Sequence, residues 1–282
     1  EGCVIHERYD NGKGYRGELS LVKGNEGLSA LEALDVERYI LGVLGSEMPD
    51  YWDRDALLAQ AVCIRTYVLY RKGQLKDLDS LHLAYNGTSK ETARLSRLVA
   101  ESRGVAMLYR KELFPSYFHS TCGGHTEDVR LVFGEESIPP LKGVRCQYCD
   151  GSKYYRWELE MGKGDIEDRL RKAYPRVKDV SYIRPVDAGP GSHSSYVAVG
   201  HKEGNLKMNA NEFRLLLGPN YLYSTAFSSQ EDDSSVRFFG RGWGHGVGLC
   251  QYGAQRMAQK GYRWFEILKY YYPGAELVKI YQ

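Results

Sequence analysis

The residues best equipped for chemistry fall in three places. The first is Glu47, in GSEMPDYW (45–52), set between an apolar Met48 and the turn at Pro49. The nearby Asp50, Asp53 and Asp55 stand in turn and first-turn positions, where carboxylates cap helices. Arg65 lies in the middle of an apolar stripe of Leu58, Ala61, Val62 and Leu69 at helical spacing. A guanidinium so placed needs a partner, because burying it alone is expensive. Glu47 is the acid in an unusual context closest to it. The two are expected either to tie successive helices together or to set a functional carboxylate beside its cation. The second place holds thiols. RCQYCD (145–150) carries Cys146 and Cys149 as a C-x2-C pair, and STCGGHTED (120–128) puts His125 three residues after Cys122. The third is GRGWGHGVGLCQYGA (240–254), in which glycines alternate with Arg241, Trp243, His245 and Val247. Linkers are Gly/Ser-rich and avoid large rings. This run therefore predicts a backbone shaped for close approach, opening into a helix that stops at Gly261.

The elements that must position these residues follow from periodicity and capping. Asp35 predicts an N-cap for a helix with Val36, Tyr39, Ile40 and Val43 on one face, ended by Pro49. A second helix is predicted from near Asp53 to Gly73. A third follows, with Thr88 and Glu91 as a capping box and Gly104 as its stop. Beyond it the texture is β-rich (104–109, 113–121, 154–161, 177–183, 195–200), with short helices at 164–174 and 210–217. The polar SSQEDDSS (228–235) predicts a mobile loop, and two closing helices lead to a last strand in ELVKIY (276–281). The fold class expected is α+β: one domain over 1–282, comprising a β-rich lead-in at 1–30, a helical segment at 35–103 and a β-rich body at 104–282 with C-terminal helices. The helical segment is expected to pack on that body with a ligand cleft between them.

Composition narrows the function classes. With 282 residues and 43% hydrophobic content, the chain has enough apolar material for a substantial core. A net charge of +2 carries no polyanion signal, so no nucleic-acid partner is expected. No apolar run is long enough to span a membrane. The 23 tyrosines suit sugar faces and ordinary cores alike.

Three blocks together resemble the SpoIID/LytB family: residues 34–71, YFHSTCGGHTEDV (117–129) and 240–277. They occur in the family's order, and the stretch from about 150 to 235 carries little of the likeness. The resemblance implies a lytic transglycosylase that cleaves peptidoglycan glycan strands between N-acetylmuramic acid and N-acetylglucosamine, leaving 1,6-anhydromuramyl ends. It implies Glu47 as the catalytic acid and Arg65 as its motif arginine. One carboxyl group then suffices: it protonates the glycosidic oxygen and afterwards takes the proton of the muramyl 6-hydroxyl, whereas a hydrolase needs a second carboxylate. Glu127 and Asp128 are the first candidates for such a second group. Arg65, His119, His125, His245, Gln251 and Tyr252 are expected to contact glycan. A peptidoglycan substrate implies an extracytoplasmic setting, with a signal or anchor removed from this chain. The alternative within reach of the resemblance is a non-catalytic glycan-binding protein that stimulates a cell-wall amidase.

The chain departs from the family pattern in its thiols, since Ser is usual at the positions of Cys122 and Cys250. Cys122, Cys146, Cys149 and Cys250 together suit a structural tetrahedral zinc, with His125 as an alternative fourth ligand and disulfides as the rival in an oxidising compartment. Cys63 is expected in the core, and Cys3 is left unassigned. A metal-dependent hydrolase is disfavoured, because all-thiolate sites are closed to water.

Overall fold

The computed structural model describes residues 3–6, 14–24, 27–72 and 83–282. The expected helix stop at Gly73 lies outside them. The described chain is α+β. In chain order its elements are β1 Cys3–His6, β2 Glu18–Gly24, β3 Gly27–Leu34, α1 Val36–Glu47, α2 Arg54–Lys72, α3 Ala93–Glu101, β4 Val105–Tyr109, β5 Glu112–Leu113, β6 Phe118–His119, α4 Val129–Phe133, β7 Trp157–Gly162, α5 Lys163–Arg171, β8 Tyr182–Ala188, β9 Ser194–His201, β10 Gly204–Asn209, α6 Ala210–Leu217, β11 Phe227–Glu231, β12 Ser235–Gly240, β13 Leu249–Cys250, α7 Gln251–Gln259, α8 Trp264–Tyr271 and β14 Glu276–Lys279. No helix among the described residues is long and apolar enough to cross a membrane. The chain divides into two compact units. One lies within Glu1–Tyr117, Met257–Lys269 and Gly274–Gln282, the other within Phe118–Arg256 and Tyr270–Pro273. The closing helices are thus shared out between units rather than kept with the β-rich body.

In the first unit, antiparallel sheets run β1-β3-β2 and β14-β4-β5. Asp35 caps α1 by accepting from Glu37 N (3.0 Å), and the extended Met48 before Pro49 ends it. Asp53 Oδ1 accepts from Asp55 N (3.0 Å) at the start of α2. That helix is buried on every face from Ala56 to Thr66, so the stripe expected from its sequence widens to the whole circumference. Tyr39, Ile40, Val43 and Leu44 of α1 meet no solvent, and neither do Leu57 and Ile64 of α2. The third helix corrects the expected start. Its cap is Thr92, accepting from Leu95 N (3.2 Å), and the sequence capping box is used otherwise: Glu91 pairs with Arg16 (2.9 Å), and Thr88 Oγ1 donates to Gly14 O (3.2 Å).

The second unit is built on two antiparallel three-stranded sheets, β10-β9-β8 and β11-β12-β7, with a parallel β6–β13 pair. Ile166 and Leu170 of α5, Phe213 and Leu217 of α6, and Ile183, Val197, Val199, Val236 and Phe238 from the strands form one core. The mobile loop expected at 228–235 is instead the β11–β12 hairpin, with Gln230 opposite Arg237 and Glu231 opposite Val236. Its turn is locked by Asp232 Oδ1, which accepts from Ser234 N (2.8 Å) and Ser235 N (2.7 Å).

Candidate functional site

Glu47 is the last residue of α1 and is half-buried. It lines a pocket of about 570 Å³ with Ser46, Met48, Asp50, Tyr51 and Thr92. Its Oε1 accepts from Ala84 N (3.3 Å). Met48 and Trp52 beside it are buried, while Tyr51 is exposed, so the carboxylate stands at the boundary between an apolar wall and solvent.

Arg65 is not the partner of Glu47. Its guanidinium is wholly buried and makes a two-pronged pair with Glu37, Nε to Oε1 (2.9 Å) and Nη2 to Oε2 (2.7 Å). Val105 O takes Nη1 (3.0 Å) and Ser102 Oγ takes Nη2 (3.3 Å). Glu37 also accepts from Gly104 N (3.2 Å) and Tyr281 Oη (2.7 Å). Burial pulls the Glu37 carboxyl up, but the hydrogen bonds and charge of Arg65 outweigh it and hold the group below its ordinary value. The substrate contact expected of Arg65 is therefore corrected: with no exposed surface it braces α1, α2 and the start of β4. Glu37 was not singled out in the sequence. Its one signal was a first-turn acid on the helix preceding an arginine that needed burying.

The other sequence-selected residues lie in the second unit. The sulfurs of Cys122, Cys146, Cys149 and Cys250, all buried, come within 4.8 Å of one another, and Cys250 rather than His125 completes the group. Cys63, Cys122, Cys146, Cys149 and Cys250 are all free thiols. The environment is a thiolate cradle. Cys122 N and Gly253 N approach Cys250 Sγ (3.3 and 3.4 Å), and Tyr271 Oη is 3.2 Å from Cys146 Sγ. Hydrogen bonds from the neighbouring thiols hold Cys146 well below the ordinary thiol range. Burial, followed by the same neighbours, pushes Cys122 and Cys250 well above it. Cys63 is buried on α2, apart from this group.

His119 is buried, with its Nδ1–H on Val247 O (3.0 Å), and burial lowers it to about 4. His245 is half-buried, its Nδ1 accepting from Val247 N (3.1 Å), with ring contacts to His119 (5.5 Å) and Phe133 (5.2 Å). Burial, then the charges of His119 and Arg214, place it well below the ordinary imidazole value. Burial thus favours the neutral form of both rings. Gln251 is buried, and Tyr252 is half-buried with its N–H on Ser120 O (3.0 Å). His119 and Gln251 thus present almost no surface to a polymer, contrary to expectation. His125 lines a second pocket, of about 490 Å³.

The glycine run is shaped by the protein itself. Gly242, Gly244, Gly246 and Gly248 all have positive φ. A Cβ on Gly246 would lie 2.4 Å from His193 Nε2, one on Gly244 2.7 Å from His119 Cβ, and one on Gly240 2.1 Å from the Trp157 ring. Close approach is therefore needed to neighbouring side chains. Neither acid considered as a second carboxylate is free for that role. Glu127 is wholly buried and accepts from Gly191 N (2.8 Å) and Asp128 N (3.2 Å). Asp128 caps α4 and takes the Ser137 hydroxyl (2.7 Å).

Comparison with known proteins adds two family models and several relatives. Residues 24–109 match the model described as SpoIID, stage II sporulation protein, and residues 144–248 match a domain of unknown function (DUF8618). A relative in Brachyspira hyodysenteriae, named only as an uncharacterized protein, is 33% identical over 98% of this chain and 76% of its own. Stage II sporulation protein D of Bacillus subtilis is 28% identical over 88% of this chain and 76% of its own. The amidase enhancer of the same organism is 25% identical over 84% of this chain and 40% of its own.

Proposed function

The chain belongs to the stage II sporulation protein D family, and from that premise we propose that it is a peptidoglycan lytic transglycosylase of the cell envelope with Glu47 as its single acid–base group. The observation that carries the reading is the position of Glu47: a half-buried carboxylate on a pocket, with the motif arginine engaged by Glu37 and so not held against it. An acid that must first give a proton is served by an apolar flank, which Met48 and Trp52 supply. Protonation of the glycosidic oxygen by Glu47 expels the leaving sugar. The resulting carboxylate then takes the proton of the muramyl 6-hydroxyl as that oxygen closes on the anomeric carbon. Asp50 lines the same pocket and is the group to suspect if water proves to be the nucleophile.

The four sulfurs fit a structural zinc. A tetrahedral ion with bonds of about 2.3 Å needs sulfurs about 3.8 Å apart, and the observed limit of 4.8 Å and the N–H and O–H groups facing the sulfurs suit it. Such a centre would fix residues 122–149 to the start of α7 and supply no chemistry.

Purified glycan strands test the proposal. The wild type should release products with 1,6-anhydromuramyl ends, detected by mass. Glu47→Gln should fold and bind but lose about 10²–10⁴-fold in rate. Reducing ends would make the protein a hydrolase. Absence of product on any strand would favour the second reading, a non-catalytic partner of a cell-wall amidase, which the likeness to the amidase enhancer supports.

A further inference from the structure

The second unit carries a groove that none of the readings so far uses. A pocket of about 800 Å³ opens over the end of the β11-β12-β7 sheet, where Trp157 pairs with Gly240 and Phe239 with Glu158. The 490 Å³ pocket that holds His125 shares two lining residues with it, Ser192 and Arg241, so the two adjoin. The larger pocket lies wholly within the stretch matched to the domain of unknown function.

The groove has an uneven charge. Arg156 and Arg241 line the larger pocket, and Arg145 joins Arg241 in the smaller. Among the described residues none of these three guanidiniums has an ion pair or a side-chain hydrogen bond. The neighbouring Glu158 is taken by Arg237 (3.5 Å). The acid left in the smaller pocket is Asp150. Three free forks beside one free carboxylate suit a ligand with several carboxylates and one ammonium. Trp157 and Phe239 supply an apolar floor, and the indole is held by its Nε1–H on Gly242 O (2.8 Å).

The walls are also set in advance. Arg241 N donates to Ala226 O (2.9 Å) and Arg241 O accepts from Ser224 Oγ (2.5 Å), so the backbone beneath the shared arginine is fixed at both ends. The loop on the other side is pinned by the buried Glu127, which holds Gly191 N, and its Ser192 keeps a left-handed φ of 64°. A Cβ on Gly189 or Gly191 would fall 2.4 or 2.9 Å from that carboxylate. Glu127 is thus a positioning residue for the groove.

We propose that this groove binds the acidic stem peptides of peptidoglycan, with Arg145, Arg156 and Arg241 on their carboxylates and Asp150 on the free amine of their diamino acid. The assignment rests on the peptidoglycan reading above. It gives the second unit a recognition role separate from the chemistry at Glu47.

Isothermal titration of the full chain with a synthetic tetrapeptide stem carrying a diamino acid tests it. Saturable binding is expected, weakened at least about tenfold for each arginine in Arg156→Glu with Arg241→Glu, whose fold is checked by circular dichroism. Asp150→Asn should weaken the free-amine peptide and leave an N-acetylated one unchanged. Glu47→Gln should bind as the wild type does. Absence of saturable binding, an affinity unmoved by the paired arginine substitutions, or equal binding of polyglycerol phosphate would overturn the proposal. Anhydro products from peptide-free strands without peptide binding would sink this inference and leave the enzyme reading standing. Peptide binding without such products would do the reverse.

Discussion

Glu37 and Glu127 are both buried carboxyls, and their surroundings push them in opposite directions. Glu37 is held below its ordinary value because the hydrogen bonds and charge of Arg65 outweigh burial. Glu127 is raised because burial outweighs the N–H groups of Asp128 and Gly191. The signs of their contributions to stability therefore differ. That of Glu37 is complete above the ordinary carboxyl value of about 4.3 and is lost as pH falls through its lowered native value. That of Glu127 is complete below about 4.3 and is lost as pH rises through its raised native value. Glu37→Gln should cost about 3–5 kcal/mol at neutral pH, because it leaves Arg65 charged and unpaired in the core, and the deficit should shrink on acidification. Glu127→Gln should gain on the wild type between about pH 4 and 7, since the amide removes a buried ionisation. Denaturant titrations carried from neutral pH to well below about 4.3 read both slopes, that of Glu127 above this value and that of Glu37 beneath it. A Glu37→Gln deficit that does not change with pH would contradict the ion pair.

Among the elements, the glycine run and the helix stop beyond it separate two uses of the same residue. Gly246 and Gly261 have φ of 83° and 90°, but a Cβ on Gly246 meets His193 at 2.4 Å while one on Gly261 meets nothing within 4 Å. Gly261→Ala should cost about 1 kcal/mol, the backbone term alone. Gly246→Ala should cost about 2–4 kcal/mol, since a clash adds to that strain. Denaturation midpoints measure both, and equal losses would mean that the run is free to relax. That the run needed glycine was legible in its sequence; what lay against it was not, because His193 belongs to no motif and reaches it from a loop more than fifty positions earlier. The same limit explains the other differences. Asp35, Asp53 and Gly261 act within one turn of themselves and read correctly. Thr88 and Glu91 carried a sound local signature, but Gly14 and Arg16, over seventy positions away, claim their side chains. The polar stretch at 228–235 pairs as a strand because β12 offers it a ladder. The grouping of the four cysteines was legible because a rare residue type in fixed spacing survives without knowledge of the fold. The partner of Arg65 was missed because proximity along the chain pointed to the wrong glutamate.

On the scale of the whole chain, the two units keep separate cores and separate polar anchors. Tyr39, Leu57 and Ile64 are buried in the first, and Val197, Phe213 and Phe238 in the second. The Arg65–Glu37–Tyr281 network lies in the first unit, where it joins α1 and α2 to the residues after β14. The cysteine group lies in the second, where it joins positions 122 and 250 across 128 residues. Closing so long a loop with a metal removes much freedom from the unfolded chain. A single unfolding free energy is not expected for such a protein. Scanning calorimetry of the purified chain should resolve two transitions, and elemental analysis should find about one zinc per chain. Strong chelation, or Cys146→Ser, should lower one transition by more than about 10 °C and leave the other in place. Glu37→Gln should move the other one. A chain free of metal whose calorimetric trace ignores chelator would remove the zinc proposal, and the four thiols would then be ordinary core. A single transition shifted by both Glu37→Gln and Cys146→Ser would show instead that the cores melt together, so that metal loss in the second unit would reach the pocket of Glu47 through stability alone.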